Sequence, residues 1–151
     1  MTQWKKLTPS LENYLETILF LEKKNRVARV KDIAEMMNVQ MPSVTGALKN
    51  LKSRGLINYQ KNSYISLTEK GLEIANSVQN RHTLISNFLE RVLAVPREEA
   101  EDEACRMEHI ISPKTAIRLE NLTKYFETTL FRKLDITEAD WVKLLSKKTG
   151  S

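Results

Sequence analysis

The sequence is poor in the residues that usually announce chemistry. Its 151 residues hold one cysteine, two histidines, four glycines and four prolines. One cysteine cannot close an internal disulfide. No glycine-rich turn and no third orienting group accompany Cys105 and His109, so a thiol enzyme is not expected. No apolar run is long enough to span a bilayer. The opening MTQWKKLTPS carries two lysines with no apolar core behind them, unlike a secretory signal. A reducing cytoplasm and no membrane partner are the corresponding expectations. Repeats and low-complexity segments are missing too.

What is present is a globular chain whose charge is unevenly spread. Residues 1–71 carry twelve Lys/Arg against six Asp/Glu, a charge of +6. Residues 72–127 carry seven against ten, a charge of −3. Residues 128–151 carry five against three, which brings the total to +5. A basic front suits a polyanion; an acidic middle suits cations. We divide the chain accordingly at 71/72, into a DNA-binding domain 1–71 and a helical domain 72–151.

The front half reads as helices and one small hairpin. TPSLENYLETILFLEKKN has helical apolar spacing after a cap at Thr8 or Ser10. Ile33, Ala34, Met36 and Met37 form a short helix that NVQ breaks. Pro42 suits the first turn of the next helix, whose buried stripe is Val44, Ala47, Leu48 and Leu51, and Gly55 ends it. Two short helices about a tight turn, the second basic, form a helix-turn-helix. LINYQKNSYISLT adds two β-prone runs about a polar turn, which is a wing. At the start of the second helix, Gln40, Pro42, Ser43, Thr45 and the side-chain-free Gly46 face the bases, with Pro42 against a thymine methyl or shaping the turn. Lys49, Lys52, Arg54 and Lys61 serve phosphates. A winged helix used purely for protein docking is the competing reading.

The back half is expected to be all helix. Thr68 caps a long helix that ends before Pro96. REEAEDEACRMEHII makes a fourth major helix, with its acidic residues at the N-terminal turns. Ser112 and Pro113 start another, and Thr137 caps a short one. On a helix through 97–111, Cys105, Glu108 and His109 stand at i, i+3 and i+4, with Glu101 one turn earlier. Thiolate, carboxylate and imidazole together suit Fe(II), Co(II), Ni(II) or Zn(II). His82 lies in the long helix, and Asn13 and Glu16 stand at i and i+3 on the first. In the alternative reading, Cys105 and His109 are structural and the protein is a winged-helix regulator sensing a small organic ligand.

TPSLENYLETI, ARVKDIAEMMNVQMPSVTGALKNLKSRGLI, LTEKG, NRHTLISNFL and DEACRMEHIIS occur in that order. Over about residues 8–126 the chain resembles the metal-dependent repressors of the diphtheria-toxin repressor and manganese transport regulator family. The resemblance implies a winged-helix DNA-binding domain and a helical metal-binding and dimerisation domain. It implies a homodimer on double-stranded operator DNA that represses metal-uptake genes when iron or manganese is plentiful. No small-molecule substrate is implied. Cys105, Glu108 and His109 fall on the family's primary metal positions, with Asn13 where Met or Asp is usual. His82 and Glu101 fall on the second site. Glu16 matches a carboxylate of the manganese-type proteins, and Ser86 replaces a glutamate of the iron-type ones. Cys105 tilts the expectation toward Fe(II), with Mn(II) the other option. The chain is expected to lack the C-terminal barrel of the long forms. We expect a switch in which a metal held by Asn13 and Glu16 together with Cys105, Glu108 and His109 orients one domain on the other and so sets the reading heads ~34 Å apart.

Overall fold

The computed structural model describes residues 7–61 and 63–147. It is mainly helical with one small antiparallel hairpin. Two units are distinguished, Met1–Gln79 and Asn80–Ser151. No helix among the described residues is long and apolar enough to cross a membrane.

The first unit begins with α1, Pro9–Asn25, whose Leu11 N–H bonds the Thr8 hydroxyl at 3.3 Å. α2, Val30–Met37, ends at Asn38, which takes the left-handed conformation at φ 53°. Asparagine tolerates that region better than most residues, which is why NVQ breaks the helix. α3, Met41–Ser53, follows at once with Pro42 in its first turn. Gly55 at φ 68° then turns the chain into the hairpin. Strands β1 (Ile57–Asn58) and β2 (Ser66–Leu67) pair with Ile57 opposite Leu67. An isolated bridge joins Ala28 to Ile65, tying the wing to the residues just before α2. Leu15 and Ile18 of α1, Ile33 of α2, Leu48 and Leu51 of α3, and Ile65 of the wing form one buried cluster.

α4, Glu69–Arg91, starts where the Thr68 hydroxyl accepts from Gly71 N–H at 3.1 Å. Gly71 is required by space rather than by φ. A Cβ there would lie 1.9 Å from the Leu56 carbonyl oxygen, so no larger residue fits without moving backbone.

In the second unit, α5 spans Arg97–Met107 and α6 spans Pro113–Tyr125. The expected helix over 97–111 is therefore too long. Glu108 is the C-cap of α5, and the N–H groups of Ile110 and Ile111 both turn back to the Met107 carbonyl. The cause is Pro113. It holds Ser112 in the extended region as the cap of α6, so the chain must turn between the two helices. A π-helical turn, Phe126–Leu130, then leads into α7, Phe131–Leu134. α8, Glu138–Leu145, opens with a capping box of Thr137 and Asp140. α8 is docked against the second unit. The Trp141 ring N–H bonds the Val92 carbonyl at 2.7 Å, and its ring lies 4.8 Å from that of Phe126.

Candidate functional site

In the second unit, Ile85 and Leu89 of α4 pack against Ala100 and Ala104 of α5. Alanine side chains let two helix backbones approach closely, and the i, i+4 spacing of Ala100 and Ala104 continues to Glu108. His82 stands one turn before Ile85 on α4. The close packing therefore sets its ring between Glu101 of α5 and Glu108 at its C-cap. Nδ1 is 2.7 Å from Glu108 Oε2, and Nε2 is 2.7 Å from Glu101 Oε2. His109 Nε2 lies 3.2 Å from the other oxygen of Glu108. Two imidazoles and two carboxylates are thus linked through Glu108, whose side chain is 2 % exposed.

The electrostatics follow from these bonds. The hydrogen bond to Glu108 raises His82 from 6.5 to about 9, against the opposing effect of burial and with help from Glu101. For Glu108, burial opposes ionisation, but the nearby His109 ring and the hydrogen bond with His82 outweigh it and hold the carboxyl below its ordinary value. His82 is therefore an imidazolium donating from both ring nitrogens at neutral pH. The raised histidine contributes stability that is complete below 6.5 and lost as pH rises to about 9. The lowered carboxylate contributes above its ordinary 4.5 and loses its share as pH falls. Metal-free protein should accordingly be most stable between those limits, and should lose about 2–3 kcal/mol between pH 6.5 and 9.5. Urea unfolding across that range checks it. A flat profile would mean the histidine bonds are not made in solution.

Other residues singled out in the sequence lie as follows. Cys105 is exposed on α5 and is in no disulfide. Ser86 is buried, and its hydroxyl donates to the Thr83 carbonyl of its own helix at 3.3 Å. Asn13 and Glu16 are half-buried on α1 of the first unit.

The first unit carries a groove of about 730 Å³ between α3, the residues leading into α2, and the wing. It is lined by Thr45, Lys49, Lys52 and Lys61, four of the residues expected to face DNA. Gln40, Pro42 and Ser43 are exposed at the start of α3 outside that lining. The Arg54 Nε is bonded to Asn50 Oδ1 at 2.7 Å, within the end of the same helix. Thr45 donates its hydroxyl to the Met41 carbonyl at 3.1 Å, which leaves its oxygen to accept. Sequence reasoning missed Arg29, Lys31, Met41, Tyr59 and Tyr64, which line the same groove. The Arg29 guanidinium lies 5.3 Å from the centre of the Tyr64 ring, a cation–π contact that braces the wing. The signal was a basic residue and two wing aromatics, but their meeting depends on the Ala28–Ile65 bridge.

Two family models match the chain. Residues 6–64 match the iron dependent repressor N-terminal DNA binding domain, and residues 68–137 match the iron dependent repressor metal binding and dimerisation domain. The transcriptional regulator MntR of Bacillus subtilis is 35% identical over 142 residues, 94% of this chain and 95% of that protein. An uncharacterised HTH-type transcriptional regulator of Methanocaldococcus jannaschii is 34% identical over 122 residues, 80% of this chain and 98% of its own length. Among solved structures, the manganese regulator SloR superposes with a TM-score of 0.68 at 34% identity. The match covers 79% of this chain and 55% of SloR, so the chain spans about half the length of that protein. With both domain models matched in order, the basic groove in the first and the histidine–carboxylate assembly in the second, this chain belongs to the iron-dependent repressor family and is a metal-dependent transcriptional repressor.

Proposed function

We propose that the protein represses metal-uptake or metal-homeostasis genes by binding operator DNA as a homodimer when Mn(II) or Fe(II) is abundant. The observation that carries this reading is the linkage of His82, Glu101, Glu108 and His109 in one place. Nitrogen and carboxylate donors in such proximity fit a borderline divalent ion, and Cys105, one turn before Glu108, adds a thiolate on the same helix. The ion supplies positive charge and directional bonds to these donors. His82 must first release the proton on the ring nitrogen that would bind the ion, so apparent affinity rises with pH. The manganese regulator SloR among the relatives supports Mn(II); the thiol of Cys105 supports Fe(II).

On the DNA side, Lys49, Lys52 and Lys61 bind phosphates, and Arg54 at the end of α3 adds to the positive charge of that face. Gln40, Pro42, Ser43 and Thr45 face base edges from the start of α3. Linkage then requires metal to raise DNA affinity and DNA to raise metal affinity by the same factor, ~5–150-fold for typical coupling energies.

The test is an anaerobic titration. A duplex recovered from a random-sequence pool by metal-loaded protein is retested with Mn(II), Fe(II), Co(II), Zn(II) or chelator, and metal is counted per subunit. Affinity should rise with Mn(II) or Fe(II) and fall with chelator. Equal binding in chelator would defeat the switch.

A further inference from the structure

Arg81 immediately precedes His82 on α4 and is 2 % exposed, a rare position for a guanidinium. Its Nε donates to the main-chain carbonyl of Glu108 at 2.7 Å. Glu108 is the C-cap of α5, where helix carbonyls lack partners within the helix. A cation there also meets the negative end of the helix dipole. Adjacent residues of α4 therefore hold residue 108 at two points. Arg81 holds its main chain and His82 its carboxylate. One bond alone would leave Glu108 free to swing about the other. Two bonds fix both where the residue sits and how it is rotated, and the next residue in the chain is His109.

We propose that Arg81 is a positioning residue for the metal site. It clamps the turn after α5 so that Glu108 and His109 are presented in a ready geometry, without itself contacting an ion. The inference rests on the metal reading above. It also accounts for arginine rather than lysine: the planar guanidinium has a donor at Nε set rigidly near the chain, whereas an ammonium is a flexible point charge. Groups that orient metal ligands from behind typically change affinity by ~10–100-fold when removed.

The experiment compares the full-length parent with Arg81→Met and Arg81→Lys. Co(II) binding is read by its visible absorption, and amide exchange of Ile110 and Ile111 is measured in metal-free protein. Arg81→Met should weaken Co(II) binding ~10–100-fold, with Arg81→Lys intermediate. Both Ile amides, which bond the Met107 carbonyl in the clamped turn, should exchange faster in each variant. If Arg81→Met does not fold, Arg81→Lys decides. A folded variant that binds Co(II) within about twofold of the parent and exchanges these amides at the parental rate overturns the proposal. A parent that binds no Co(II) sinks the metal reading, and this proposal with it.

Discussion

Replacing Glu108 with glutamine should abolish the metal response of operator binding at metal concentrations that saturate the parent. The carboxylate is nearly inaccessible and lies within bonding distance of both histidines of the chain. Glutamine keeps the size and removes the charge. One of its two terminal atoms must then present N–H groups to a ring that is itself a donor. Loss of a supporting residue behind a metal site already lowers affinity ~10–100-fold, so loss of a central ligand should cost at least ~100-fold. In metal-free protein the same change breaks a buried charged set and should destabilise the fold by about 3–5 kcal/mol. Isothermal metal titration and urea unfolding measure the two effects separately. A Glu108→Gln variant that retains both parental metal affinity and pH-dependent stability would reduce Glu108 to packing.

Removing Lys49 and Lys52 together should weaken operator binding ~10–100-fold at moderate salt while leaving metal affinity intact. Both residues are exposed, so neither truncation opens a cavity. Both line the groove that also holds Arg29, Lys31 and Lys61. Each lysine that neutralises a phosphate releases condensed counterions, and the slope of log affinity against log salt falls by ~0.9 for each phosphate no longer neutralised. Lys49→Ala with Lys52→Ala should thus flatten the slope by about 1.8 per protomer. Binding to unrelated sequences should weaken in parallel, because phosphate contacts carry no base information. An unchanged salt slope would move the DNA interface to another face.

Much of the architecture was legible because it is local. The caps at Thr8, Thr68, Ser112 and Thr137 make side-chain bonds only three residues along the chain. The turn between α2 and α3 depends on the tolerance of Asn38 for one backbone region and on Pro42 beginning a helix. The end of α5 was misjudged because continuing helical spacing through His109 ignored the extended conformation that Pro113 imposes on Ser112. The docking of Trp141 on Val92 spans 49 residues, and no periodicity within the tail encodes it.

The sequence by itself determined the helix-turn-helix, the hairpin after it, the helical second half and the residue types fit to bind metal. Each follows from hydrophobic period, turn residues and charge read over a few neighbours. Tertiary structure alone decided which of those residues meet. It set His82 between Glu101 and Glu108, put Arg81 on the Glu108 carbonyl, and closed Arg29 over Tyr64. The reason is that convergence depends on how closely and in what register two distant helices pack, and small side chains such as Ala100 and Ala104 set that distance from outside the site.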